Sequence, residues 1–277
     1  MEVILAKYAG FCPGVKKAWK LVEKAIREET KPVYILGELI HNQQALDYLT
    51  EKGVKTIDNP EDVKERKGTL FIRAHGEPPS TYKKLRRLKV KTVDATCLNV
   101  IHVQELALQL DREGYLVIVC GEKDHPEALA TVGYTKDGQI ISSVKEALEI
   151  GKGKKIGVIS QTTFSADLFK QITDVLQKNA SEFRSLGTIC NFTQMAQKEA
   201  REIASKVDIV IVVGGKHSSN TKRLAEVASQ FKPTHHIETA LELQEDWFRG
   251  VKKVALLAGA STPGWIIQET ARVLEKQ

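Results

Sequence analysis

The sequence predicts an α/β fold of three small lobes with mostly parallel sheets, and three observations carry that reading. Short apolar runs rich in Val, Ile and Leu alternate with amphipathic stretches of helical period, the pattern of strands joined by crossover helices. The runs are continuous, with no polar residue at every second place, as in strands covered on both faces. Cys12, Cys97 and Cys190 each stand where such a run gives way to a helical pattern. They lie 85 and 93 residues apart, and each gap is about the length of one small α/β domain.

Taken in order, the predicted strands are VILAKY from Val3, PVYILGE from Pro32 and TLFIRAH from Thr69, then YLVIVCG from Tyr115, KIGVISQ from Lys155, DIVIVVGG from Asp208 and KVALLAGA from Lys253. Three helices are marked by apolar stripes. The first is Val15, Ala18, Trp19, Val22 and Ile26; the second Val100, Val103, Leu106, Ala107 and Leu110; the third Leu168, Ile172, Val175 and Leu176. The lobes are expected over 14–96, 97–189 and 190–277, with 1–13 leading into the first cysteine. The repeat lies in the placement of elements, with little residue identity, and no Pro/Gly/Ser linker separates the lobes.

Composition bounds the rest. The chain has 277 residues, 42% hydrophobic and 27% charged, an ordinary globular balance with a core large enough to fold without disulfides. Length alone suggests about two domains; the cysteine spacing argues for three. The apolar run at the N-terminus is too short for a signal peptide and contains a charge, and no run reaches the roughly 20 residues of a membrane span. The expected location is cytoplasmic, where thiols stay reduced. The net charge of +6 suits an anionic partner: a phosphorylated metabolite, an acidic electron carrier or nucleic acid. A solvated lysine-rich surface gives the same number. Against nucleic acid, the chain lacks a basic stripe interleaved with aromatics. It also lacks a Walker loop and a GxGxxG turn, so nothing points to a nucleotide.

Nearly every apolar run ends in a polar cluster. These are His41-Asn42-Gln43, His75-Gly76-Glu77, His125-Pro126-Glu127, Gln161-Thr162-Thr163, Lys216-His217-Ser218-Ser219-Asn220 and Ser261-Thr262-Pro263-Gly264. In open α/β sheets ligands bind beyond the carboxyl ends of strands. Each Ser, Thr or Asn there is also a ready helix N-cap; the recurrence of His at 41, 75 and 125 favours a site. Glu127 follows His125 by two residues and is read as the carboxylate of a shared proton network. The SSN of 218–220 and GAST of 259–262 suit a diphosphate, since helix N-termini offer backbone N–H groups and hydroxyls to phosphate.

Three thiolates at one point could hold a metal or a cluster and leave a coordination position free for chemistry. CxxC is absent, against a zinc ribbon or a redox dithiol. Cys120, inside YLVIVCG, reads as a small buried hydrophobe. A zinc hydrolase acting on a phosphorylated metabolite stays open on these residues alone.

AGFCPGV, GELIHN, RAHGE, VDATC, HPE, SQTTFS, TICNFT, HSSNT and GAST occur in order along the chain. In these stretches, over essentially its whole length, the sequence resembles the 4-hydroxy-3-methylbut-2-enyl diphosphate reductase family, the last enzymes of the non-mevalonate isoprenoid pathway. The resemblance implies three α/β lobes in a cloverleaf around a 4Fe-4S cluster, held by Cys12, Cys97 and Cys190 with the fourth iron open. It implies that His41, His75 and His125 line a diphosphate pocket, with Ser218, Ser219, Asn220 and Ser261 as further contacts. Thr162 would stand near the substrate hydroxyl, and Glu127, with His125, would belong to the proton path. The implied reaction removes an allylic hydroxyl with two electrons and two protons, yielding isopentenyl and dimethylallyl diphosphates. A ferredoxin or flavodoxin would supply the electrons; neither nucleic acid nor membrane is implied.

Overall fold

The computed structural model describes residues 1–28, 32–65 and 67–277. In chain order β1 (Glu2–Leu5) leads through Cys12 to α1 (Pro13–Arg27), then β2 (Val33–Leu36), α2 (Gln43–Glu51), β3 (Val54–Ile57), β4 (Thr69–Ile72), α3 (Pro79–Leu88) and β5 (Lys91–Asp94). Past Cys97 come α4 (Leu98–Arg112), β6 (Leu116–Cys120), α5 (Pro126–Val132), β7 (Gln139–Ile141), α6 (Val144–Glu149), β8 (Lys155–Ser160), α7 (Ala166–Asn179) and β9 (Glu182–Ser185). Past Cys190 come α8 (Asn191–Ala204), β10 (Ile209–Val213), α9 (Ser219–Ser229), β11 (Thr234–Ile237), β12 (Lys253–Ala258) and α10 (Gly264–Glu275).

The strands form three four-stranded sheets, ordered β3-β2-β4-β5, β7-β6-β8-β9 and β1-β12-β10-β11. Every strand pairing among the described residues is parallel. All seven strands expected from the sequence are present, and the α/β class with parallel sheets holds. Read from its other edge, the third sheet is β11-β10-β12-β1, so all three sheets share one topology. The N-terminal strand fills in the third sheet the place that β5 and β9 fill in the others. Each cysteine therefore occupies one topological position: after the strand that closes a sheet edge, and directly before a helix.

By internal contacts the chain divides into two compact units. One comprises Met1–Lys16, Ile40–Tyr48 and Asn191–Gln277; the other comprises Lys17–Leu39 and Leu49–Cys190. The first holds the β1-β12-β10-β11 sheet, and the second holds the other two.

Within the first unit, Val210, Val212, Ala255 and Leu257 pack against Ala196, Ala200, Leu224 and Val227. Ile209, Ile211, Val254 and Leu256 face Ile266, Ile267 and Leu274 on the opposite side. Within the second unit, β6 and β8 turn Ile118, Cys120, Ile156 and Val158 toward Phe164, Ile172 and Leu176. Their alternate residues, Val117, Val119 and Ile159, meet Val103, Ala107 and Leu110. Helices cover both faces of these central strands, which is why their apolar runs are unbroken. Parallel strands also bring their carboxyl ends to one edge of each sheet, so the polar turns after them gather there.

Candidate active site

In the unit that ends at Cys190, Cys97 follows β5 and is the N-cap of α4, with its backbone extended (φ −63°, ψ 137°). Its N–H donates to Ala74 O at 3.0 Å, which ties it to the turn after β4, and its carbonyl accepts Ile101 N at 2.9 Å. Burial pushes the Cys97 thiol above its ordinary value; backbone N–H groups of Asn99 and Val100 pull it back, and the nearby Cys190 and Glu127 push it up again. A thiol in this setting gives up its proton most readily in exchange for a bound cation. Cys190 N donates to Thr162 O at 2.9 Å, so the turn after β8 fixes the third cysteine. The side chain of Asn99 reaches Cys190, Nδ2 to Sγ at 3.0 Å.

Glu127 enters on α5. His125 is the N-cap, its Nδ1 accepting Glu127 N at 3.2 Å, and Pro126 takes the first helical position, where its missing N–H costs nothing. Glu127 is 2% exposed. One carboxylate oxygen accepts Thr162 Oγ1 at 2.9 Å and the other accepts the Thr162 N–H. Burial pushes the Glu127 carboxyl up to about 7, against the downward pull of the two Thr162 bonds. The His75 and His125 rings meet edge to face, centroids 5.4 Å apart at 87°. Gly76 permits the turn at His75: its φ is +74°, and a Cβ there would lie 2.5 Å from Gln104 Nε2.

This unit also shows what the sequence reading missed. Glu77 follows His75 by two residues, as Glu127 follows His125, and it too is buried. Its surroundings differ. Arg73 Nε lies 2.9 Å from Glu77 Oε1, and Thr81 Oγ1 is 3.4 Å from Oε2. Burial raises the Glu77 carboxyl, and the Arg73 guanidinium and the hydrogen bonds lower it. The signal was in the sequence, an Arg four residues before the Glu, inside RAHGE. Asn99 was also missed; only its place two residues after Cys97 could have marked it.

In the other unit, Cys12 N donates to Ala260 O at 3.1 Å, joining the first cysteine to the GAST turn after β12. Val15 N points back at the Cys12 sulfur at 3.4 Å. Ser218 is the N-cap of α9 and accepts Thr221 N. Ser261 Oγ lies 3.3 Å from Ser218 Oγ and donates to His41 O at 3.2 Å. Gly215 allows the backbone at His41 to approach, because a Cβ there would lie 2.5 Å from His41 O. Asn220 is 4% exposed, and neither end of its amide has a hydrogen-bond partner among the described residues. A buried amide left unpaired costs about 1–3 kcal/mol, which a polar ligand would recover. Ser219, next to it in the first turn of α9, is buried as well.

Cys120 stands apart from these groups. It is 0% exposed in β6, burial alone drives its thiol far up, and it behaves as a core residue. Cys97, Cys120 and Cys190 are free thiols. Among the described residues no helix is long and apolar enough to cross a membrane.

The sequence model of a family described as LytB protein matches residues 3–275. A relative from Aquifex aeolicus, named 4-hydroxy-3-methylbut-2-enyl diphosphate reductase, is 42% identical over 274 residues, covering 97% of this chain and 94% of its own length. One of the same name from Geotalea uraniireducens is 43% identical, covering 100% of this chain and 98% of its own. A solved structure of (E)-4-hydroxy-3-methyl-but-2-enyl diphosphate reductase, described as the terminal enzyme of the non-mevalonate pathway, is 41% identical. It covers all of both chains with a TM-score of 0.72. The structure of the Plasmodium falciparum E-1-hydroxy-2-methyl-but-2-enyl-4-diphosphate reductase is 28% identical. It covers 99% of this chain and 87% of that one with a TM-score of 0.93.

Proposed function

We propose, since this chain belongs to the LytB protein family, that it is a cytoplasmic iron–sulfur reductase acting on 4-hydroxy-3-methylbut-2-enyl diphosphate. It removes the allylic hydroxyl as water, using two electrons and two protons, and forms isopentenyl and dimethylallyl diphosphates. A ferredoxin or flavodoxin supplies the electrons, since the chain lacks a nucleotide-binding turn of its own.

The observation that carries this reading is the buried pair of Glu127 and Thr162. A carboxyl with its midpoint near 7 holds a transferable proton at working pH, and Thr162 Oγ1 sits 2.9 Å from it. Hydroxide is a poor leaving group and needs such a proton. In this reading Thr162 orients the substrate hydroxyl, Glu127 delivers the proton, and His125 holds the first turn of α5 in place. His41, His75, His125, Ser218, Ser219, Asn220 and Ser261 receive the diphosphate. Among them, the buried amide of Asn220, with no partner among the described residues, is the most direct mark of a site built for a polar ligand.

The donor set fits a cluster. Cys12, Cys97 and Cys190 are neither fully buried nor fully exposed, each stands before a helix, and soft thiolates select iron–sulfur centres. We assign these three as the ligands of a 4Fe-4S cluster with one open iron. When bound, the cluster supplies single electrons and an open iron that acts as a Lewis acid toward the leaving oxygen.

Iron and acid-labile sulfide analysis on anaerobically purified protein tests the reading, together with turnover of the substrate under a chemical reductant. About four iron and four sulfide per chain, visible absorbance and formation of both products are expected. Colourless protein holding zinc, or a cluster without turnover, would overturn it.

A further inference from the structure

We propose that Asn99 is a positioning residue of the thiolate centre, tying the second and third cysteines together and raising the electron affinity of the cluster they hold. This rests on the cluster assignment above.

The geometry is specific to this residue. Asn99 is the second residue of α4, two places after Cys97. Its side-chain Nδ2 donates to the Cys190 sulfur at 3.0 Å, across 91 residues of sequence. The sulfur of a thiolate is an acceptor only, so the amide must turn its NH2 toward it. The bond does not serve the helix. The N-cap of α4 is Cys97, which makes no side-chain capping bond, and among the described residues the Asn99 side chain bonds to Cys190 rather than to the helix backbone. Asn99 is itself exposed, and its amide nonetheless points at the Cys190 sulfur. Hydrogen bonds to cluster sulfurs favour the reduced state, in which those sulfurs carry more negative charge, and so raise the reduction potential. The amide also restrains Cys190, whose neighbours in the chain otherwise place only its backbone.

The test is a redox titration, followed by electron paramagnetic resonance, of the anaerobically loaded wild type and of Asn99→Leu and Asn99→Asp, at equal iron and sulfide content. At the potential where half of the wild type is reduced, Asn99→Leu should be only about one fifth reduced, a shift of roughly fourfold for one lost hydrogen bond. Asn99→Asp should be reduced still less, because it sets a negative charge against the sulfur. Thermal unfolding should move the other way, since a carboxylate in the first turn complements the helix dipole. Asn99→Asp should therefore unfold no lower than the wild type. A residue that only supports α4 would lower potential and stability together, or leave the potential alone; either result in Asn99→Leu and Asn99→Asp overturns the proposal. A wild-type chain that takes up no cluster removes the functional reading, and this one with it.

Discussion

Beyond β10 and β12, Ser218, Asn220 and Ser261 offer two hydroxyls and an amide, none of which gains or loses a proton near neutral pH. Beyond β6 and β8, Glu127 and Thr162 offer a buried carboxyl poised near 7 and the hydroxyl it holds. Both sets sit at helix starts after parallel strands, and both are nearly excluded from water. The difference is what burial does to each. Burying neutral donors leaves unmet hydrogen bonds, as at Asn220, and so favours whatever ligand meets them. Burying a carboxyl changes its proton affinity, and so makes an acid. On the proposed reading the first set receives an anion and the second moves a proton. Glu77 marks the boundary of this argument: it is buried too, yet its pairing with Arg73 offsets part of the effect of burial.

The thiols give the comparison its severest test, since each unit contributes to the proposed ligand set. Cys12→Ser, Cys97→Ser and Cys190→Ser should each lose iron, and lose more activity than the roughly 100-fold that outer-sphere changes around a metal cost. Cys120→Ser should keep its iron and lose about 1–3 kcal/mol of stability through a buried hydroxyl. A normal iron content in any of the first three, or a loss confined to Cys120→Ser, breaks the assignment.

Next in size is the contrast between the two buried carboxylates. Glu127→Gln keeps the shape and loses the transferable proton, so kcat should fall at least about 100-fold while cluster and substrate affinity stay near normal. Glu77→Gln should instead lower the unfolding temperature, with a rate change far smaller than that of Glu127→Gln. Similar kinetics in the two variants would mean that the Arg73 pairing is not what separates them. The neutral donors come third. Asn220→Ala and Ser261→Ala should each raise KM roughly tenfold to a hundredfold, the worth of a hydrogen bond to a charged group, and leave kcat nearly unchanged. A fall in kcat at unchanged KM would move these residues from anion binding to chemistry.

How far the sequence foretold this depends on where a strand sits. The seven expected strands include every central strand of the three sheets, because helices on both faces force an unbroken apolar run. The five that escaped notice, β3, β5, β7, β9 and β11, are all edge strands. Half exposed, they carry sequences such as EFRS and KTVD that no apolar window detects. β1, the remaining edge strand, was visible through its VIL. The polar turns were legible because they follow the central strands directly. The ranking of carboxylates was not: Glu127 and Glu77 look alike beside their histidines, and only the partner of each, Thr162 or Arg73, separates them. Asn99 was invisible for a related reason, since its contact joins positions 91 residues apart.

The smallest effect tests the division by pH. The Glu127 carboxyl stands at about 7 against an ordinary 4.5, with burial the main cause, and it works in its protonated form. Between pH 6 and pH 8 that form falls from about nine tenths to about one tenth, so kcat should drop roughly tenfold across the window. The linkage to stability has the same sign. A folded-state value above the unfolded one means that the native protein holds the proton more tightly, so this contribution is fully present below about pH 4.5 and is lost as pH rises through 7. Glu127→Gln has no such proton, and its residual rate should be flat where the wild type declines. Asn220→Ala should keep the wild-type decline in kcat, because the amide does not titrate. A flat wild-type profile measured with a chemical reductant would detach Glu127 from the proton path. A profile altered in Asn220→Ala would show that the anion-binding groups and the acid are not independent.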